Sequence, residues 1–291
     1  MIVIGADAGG TKTAAAVWKD GELVARSDGA PGAVRPGRAL AAASAIIDAC
    51  RQALSVARLA RGDTLVVGAA GVGRPSERDE LAQALRAEGI CDRVIVVTDI
   101  ELVLAAAFDH GPGIALAAGT GSIAVSRSAE GALLRSGGYG WQMGDEGSGY
   151  AIGRAALAAV SRAQDGRGRA TALSTLLPGA ARVPDFDALV SWAATATPAQ
   201  VASLAPAVLG ATSDDVANGI VAAAADDLAA LVTSLRARAP QTDRMPVAYA
   251  GSLLAQAPFR AKVTAALMAT DGVEVRDGVV EPLQGVPRLL R

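Results

Sequence analysis

One histidine and two cysteines stand among 291 residues, and their scarcity removes several chemistries at once. His110 lies beside Gly111-Pro112 and reads as a surface turn residue. Cys50 and Cys91 have no paired spacing, so neither a zinc knuckle nor a disulfide framework is expected. Both read as apolar fillers in a reducing compartment. Aromatic residues make up only 3% of the chain and charged residues 19%. The net charge is −2, and the arginines are scattered, as in Arg154, Arg162, Arg167 and Arg169. No basic block exists, and no nucleic-acid partner is expected. The long Ala runs are broken by Asp, Arg and Gly, so no stretch of about 18 residues is expected to span a membrane. The chain opens on a strand-like run, Met1 to Gly5, without a basic or long apolar leader. These absences place the expected protein in the cytoplasm, away from membranes.

What is present is a globular composition, with 51% hydrophobic residues. Much of that is Ala, the best helix former, which lets helices pack closely. The length suits two domains of about 100–200 residues each. Apolar runs at 2–6, 13–18 and 23–27 read as three antiparallel strands, with Asp20-Gly21 as a hairpin turn. A helix is expected over 38–60, a strand over 64–69, a helix over 76–88 capped by Ser76, a strand over 94–97 and a helix over 100–108. Strands then begin again at 113–118, 123–126 and 133–136, the last two joined by a Glu130-Gly131 turn. Helices follow at 150–164, 170–177, 186–194 and 214–239, then a strand at 246–250 and a helix at 258–269. A strand, Gly/Thr turn, strand, hairpin, strand unit thus occurs twice, a repeat of architecture more than of letters. The pattern is α/β with mixed sheets, in two domains, 1–112 and 113–291, facing each other across a ligand-binding cleft.

Two turns invite phosphate. Asp7-Ala8-Gly9-Gly10-Thr11-Lys12-Thr13 ends a strand, and its glycines free the backbone for close approach. Backbone N–H groups and the Thr11 hydroxyl can cradle a phosphate, and Lys12 can add charge. Alone, the turn is equally an ordinary hairpin, and it lacks Walker A spacing. Gly119-Thr120-Gly121-Ser122 is the same device at the matching place in the second half. The pair fits one polyphosphate held between two domains. Asp99 follows a strand and starts a helix, where a carboxylate can serve as a general base or simply as a cap. The stretch 137–149 packs six glycines, Tyr139, Trp141, Asp145 and Glu146 into thirteen residues, a composition suited to a polyhydroxy ligand. Gly251-Ser252, after a strand, can approach an adenine or ribose. Gly71 reads as a plain turn whose backbone can line the cleft. Asp226 and Asp227 read as solvated helix face.

Together, Asp7 to Thr13, Gly119 to Ser122, Gly144-Asp145-Glu146-Gly147-Ser148 and Ala250-Gly251-Ser252 resemble the BadF/BadG/BcrA/BcrD ATPase family. The nearest branch resembles the N-acetylglucosamine and glucosamine kinases of the actin/hexokinase/heat-shock-chaperone superfamily. The resemblance implies two ribonuclease H-like domains, ATP with Mg2+, closure on a sugar, a homodimer, and last residues that pack back on the N-terminal domain. It implies that Gly9, Gly10, Thr11, Lys12, Thr120, Gly121, Gly251 and Ser252 bind ATP. Asp7 would hold magnesium through water, and Asp99 would be the catalytic base facing the sugar 6-hydroxyl. Gly71, Gly138, Tyr139 and Asp145 would join Asp99 around the sugar, and Gly285 matches a glycine near the C-terminus. One departure is Gly32-Ala33-Val34, where the N-acetylglucosamine kinases carry an Asn. The activity implied is phosphorylation of an amino sugar. The alternatives are a broad hexokinase, an iron–sulfur ATPase activator of a 2-hydroxyacyl-CoA dehydratase, and a sugar sensor without catalysis.

Overall fold

A computed structural model describes residues 1–239 and 244–290. Arg291, the end of the second expected domain, lies outside the described residues, as do positions 240–243. The chain divides into two compact units, Met1–Gly111 with Val280–Arg291, and Pro112–Val279.

The first unit runs β1 (Ile2–Ala8), β2 (Thr13–Lys19), β3 (Glu22–Gly29), α1 (Ala39–Val56), β4 (Gly62–Ala69), α2 (Pro75–Ala87), β5 (Cys91–Thr98) and α3 (Asp99–Phe108). Its sheet has the order β3-β2-β1-β4-β5. The β1–β2 and β2–β3 pairs are antiparallel, and β1–β4 and β4–β5 are parallel. Positive φ at Asp20 and Gly21 makes the first hairpin turn compact, as its Asp-Gly sequence predicts. One face of the sheet buries Ile4, Ala6, Val17, Leu65 and Val67 against α1 and α2. The other face buries Val3, Trp18 and Val66 against Leu102 of α3 and against Leu283 and Val286 of a C-terminal 3-10 helix, Pro282–Leu290. Gly5 admits that helix: a Cβ there would lie 2.6 Å from a Val286 methyl.

The second unit runs β6 (Gly113–Ala118), β7 (Ser122–Arg127), β8 (Leu133–Gly137), α4 (Gly149–Gln164), α5 (Leu173–Ala181), α6 (Phe186–Thr195), α7 (Pro198–Ala202), α8 (Ala205–Gly210), α9 (Asp215–Arg238), β9 (Met245–Ala250), α10 (Ala257–Leu267) and β10 (Val273–Val279). The sheet order is β10-β9-β6-β7-β8. β6–β7 and β7–β8 are antiparallel, and β6–β9 and β9–β10 parallel. Strand for strand, this is the arrangement of the first unit.

Several expectations are corrected. The first helix stops at Val56, not 60, because Arg58 takes φ 57 and Leu59 N–H turns back to the Leu54 carbonyl at 2.9 Å. Ser76 does not cap α2: Pro75 occupies its first turn, and the Glu77 carboxylate accepts from the Arg74 N–H and guanidinium. The short helices α7 and α8 and the edge strand β10 were not expected. Two helices, α1 and α9, are long and apolar enough to cross a membrane by length and composition, contrary to the sequence expectation. Each spends its apolar face inside its own unit, α1 through Ile46, Ile47 and Leu54, α9 through Val221, Leu228 and Leu235.

Candidate functional site

In the first unit the site residues gather at the carboxyl ends of parallel strands, where open α/β sheets bind ligands. Asp7 is in register with Gly68 of β4, and Gly68 with Val97 of β5, so the strand ends lie side by side. Asp99 follows β5 directly as the first residue of α3. The capping is done by Thr98, whose Oγ1 accepts from Glu101 N–H, which leaves Asp99 free of that duty. Burial, then the charges of Asp99 and Glu281, push the Asp7 carboxyl up to about 7, with Lys12 opposing. Burial also raises Asp99, offset by the Ile100 N–H that donates to its Oδ1 at 2.9 Å. Carboxylates that share a partly buried place oppose each other's ionisation, and a cation reverses that. Among the described residues no three His, Cys, Asp or Glu side chains form a metal cage. A magnesium ion held by one or two carboxylates, phosphate oxygens and water fits this donor set.

The first turn is more occupied than its sequence suggests. Gly9 N–H donates to the Lys12 carbonyl at 3.0 Å, so it closes the turn and is not offered to a ligand. Lys12 Nζ pairs with Asp28 at 3.0 Å, both exposed. Gly10 is open: a Cβ there would meet nothing within 4 Å. The loop that contains Gly32-Ala33-Val34 stitches the region together. Thr13 Oγ1 donates to the Ala30 carbonyl, Ala33 N–H to Gly9, and Val34 N–H to Ala70. Ala70 N–H in turn donates to the Ala8 carbonyl at 3.0 Å. Gly71, with φ 85, sits so close that a Cβ would lie 2.0 Å from the Val34 carbonyl oxygen.

In the second unit three motifs converge on Gly119 to Ser122. Asp145 Oδ1 accepts from Ser122 N–H at 3.2 Å, and Ser122 Oγ donates to the Glu146 carbonyl at 2.6 Å. Gly138 N–H donates to the Ser122 carbonyl at 3.0 Å. Gly149 and Tyr150, opening α4, donate to the carbonyls of Gly119 and Thr120. Gly121 must lack a Cβ because Asp145 Oδ1 stands 2.7 Å from where it would be. Gly251, with φ 94, lies against Ala118, and Leu253 N–H donates to the Ala118 carbonyl at 3.1 Å. Ser252 Oγ is 3.4 Å from the Cβ position of Gly119. Residues 251–256 form a turn before α10, which begins at Ala257 against the expected 258. Beside this core the rings are exposed: Tyr139 lies under the Arg135 guanidinium at 4.7 Å, and Trp141 meets Tyr150 edge-on at 5.6 Å.

Sequence reasoning missed Glu281, Glu101 and the hydrogen bonds by which the loop 30–34 ties β1, β2 and the turn after β4 together. The Thr-x-x-Glu spacing of Thr98 and Glu101 was a legible capping signal; nothing local marks Glu281. Cys50 lies inside the first unit's core with its thiol pushed up to about 12 by burial, which leaves it unavailable to a cluster shared between subunits. His110 is exposed, as expected.

A family model, the BadF/BadG/BcrA/BcrD ATPase family, matches residues 4–285. An N-acetylmuramic acid/N-acetylglucosamine kinase of Clostridium acetobutylicum is 40% identical over 109 residues, 38% of this chain and 36% of that protein. An N-acetyl-D-glucosamine kinase of Dictyostelium discoideum is 32% identical over 146 residues, 48% of this chain and 46% of that protein. The matched segments thus span less than half of either relative. A solved structure from Chromobacterium violaceum, a proposed N-acetylglucosamine kinase, superposes with TM-score 0.82 at 28% identity over 100% of this chain and 99% of its own. A ROK family glucokinase from Streptomyces griseus, solved with glucose and AMPPNP, shares the fold at TM-score 0.59 and 19% identity, over 99% of both chains. With residues 4–285 matched by the family model, nearly its whole length, the chain belongs to the BadF/BadG/BcrA/BcrD ATPase family.

Proposed function

We propose that the protein transfers the γ-phosphoryl group of ATP to the 6-hydroxyl of an amino sugar, N-acetylglucosamine or glucosamine. The observation that carries the reading is Asp99, set at the start of α3 beside the Asp7 strand end and relieved of capping by Thr98. In this role Asp99 accepts the proton of the attacking hydroxyl, because phosphoryl transfer asks the protein mainly for positioning, charge and one base. Gly10, Thr11 and Lys12 in one turn, and Thr120 and Gly121 in the other, bind the phosphates; Gly251 and Ser252 bind the adenosine. Asp7 holds magnesium through water, and the ion, when bound, offsets charge on the phosphate oxygens. Tyr139 presents an apolar ring to the sugar, with Gly71, Gly138 and Asp145 contributing backbone approach and hydrogen-bond acceptors. The named activities of the two curated relatives and of the Chromobacterium protein support an amino sugar as acceptor.

The test is an ATP-coupled assay with glucosamine, N-acetylglucosamine, glucose and mannose, followed by phosphorus NMR of the product. The reading predicts that an amino sugar is preferred and that its phosphate couples to the C6 protons. Equal kcat/KM on glucose and mannose would replace it with a broad hexokinase. Binding without any sugar phosphate would replace it with a sensor.

A further inference from the structure

Asp99 is held in place by groups that never touch the reacting atoms. Glu101, one turn into α3, is about four-fifths buried. Its Oε2 accepts from the Thr98 N–H at 2.8 Å and from the Thr98 hydroxyl at 2.7 Å. Glu101 N–H donates to Thr98 Oγ1 at 3.3 Å, which completes a reciprocal capping box. A third donor reaches the same oxygen from another element: Arg78 Nη2 of α2 at 3.2 Å. Below, Gly68 lets α3 pack directly on β4: a Cβ there would lie 2.2 Å from a Leu102 methyl, with the Asp99 Cα at 3.4 Å. Most helix starts need only a cap. Here the cap is tied across to a second helix, at the residue where placement matters most.

We propose that Thr98, Glu101 and Arg78 form a positioning device that sets the orientation of Asp99 and so acts on the rate of phosphoryl transfer, not on ligand affinity. The proposal rests on the assignment of Asp99 as the base. Its logic is geometric. A displacement on the order of 1 Å at a reacting group costs about 10²-fold in rate. The box fixes the backbone that carries Asp99 at both flanks. Arg78 adds charge compensation: without it, the Glu101 carboxylate is an unpaired negative charge two residues from Asp99.

The same molecule supplies a control for the chemistry. α7 is opened by Thr197 and Gln200, with Thr197 N–H and Oγ1 donating to Gln200 Oε1 at 2.8 and 2.9 Å, and Gln200 N–H to Thr197 Oγ1 at 3.3 Å. A glutamine therefore builds the same box. Glu101→Gln should keep the geometry and lose only the charge, whereas Glu101→Ala loses both.

The experiment measures kcat and both KM values for the wild-type protein and for Glu101→Gln, Glu101→Ala, Arg78→Met and the Arg78→Met/Glu101→Gln double variant, with Asp99→Asn as the reference for the base. Glu101→Gln should stay within about threefold of wild-type kcat. Glu101→Ala should lose at least about tenfold in kcat, with KM for ATP and sugar within about twofold. Arg78→Met should lower kcat alone but have no effect once Glu101 is Gln, because its action runs through that charge. Arg78 is surface-accessible, so its variants report even if Glu101→Ala does not fold. Unchanged kcat in Glu101→Ala, a loss that appears in KM, or an equal Arg78→Met effect in both backgrounds overturns the proposal. Full turnover in Asp99→Asn would instead sink the assignment of the base, and the positioning role with it.

Discussion

Gly10 and Gly71 both sit in turns of the first unit, yet they do different jobs. Gly71 holds φ 85 against the Val34 carbonyl. Gly71→Ala adds left-handed strain and a backbone clash, and should lower stability by more than about 2 kcal/mol in a denaturant melt. Gly10 faces open space at ordinary φ. Gly10→Ala should leave stability within about 0.5 kcal/mol and raise KM for ATP about tenfold, since its Cβ enters the phosphate approach. Asp7 carries an electrostatic cost. Its carboxyl sits at about 7 in the folded chain against an ordinary 3.8. The folded state binds this proton more tightly, so in metal-free buffer its contribution to stability falls as pH rises from about 4 to 7. Asp7→Asn removes that loss. It should melt higher than wild type at pH 8, converge with it near pH 4, and lose magnesium-dependent turnover. The sequence disclosed these residues because glycine and aspartate after an apolar run mark a strand end and its turn, where open α/β sheets place their ligands. It did not disclose that Gly9 N–H is already spent on Lys12, because that depends on which way each peptide faces.

At the scale of elements, the Gly137 to Gly149 stretch does two things. Its rings stay exposed, while its acidic half braces the turn 119–122. Asp145→Ala would leave Ser122 N–H without its partner, and should raise KM for ATP as well as for the sugar. The composition of the stretch was legible; its role as a brace was not, because the partner residues lie more than twenty positions away. The resemblance implied that the last residues pack back on the N-terminal domain, but their 3-10 form was hidden. Leu283 and Val286 are fully buried against β1 and α3, while Gly285 packs against the Leu102 carbonyl. Leu283→Ala should cost about 2–4 kcal/mol in a denaturant melt, although it touches no proposed ligand. Period-3.6 reading cannot find a 3-10 segment, and the α-helices α7 and α8, of five and six residues, are too short to display that period.

At the scale of the whole molecule, two sheets of the same strand order each carry a glycine turn between their first and second strands. That duplication was readable from the sequence, because strand, turn and hairpin signals are local. The long connections that differ between the units were read less well: α1 alone in the first, α4 to α9 in the second. Ligand linkage should be visible globally. MgATP at about 100 times its Kd should stabilise the fold by about 2.7 kcal/mol, more than ATP with chelator does, as a shift in Tm. Whether Asp99 is the base is decided by turnover and nucleotide binding measured together in Asp99→Asn. Amino-sugar phosphorylation should fall by at least about 10²-fold while the Kd for ATP stays within about twofold. Wild-type turnover in that variant would contradict that role.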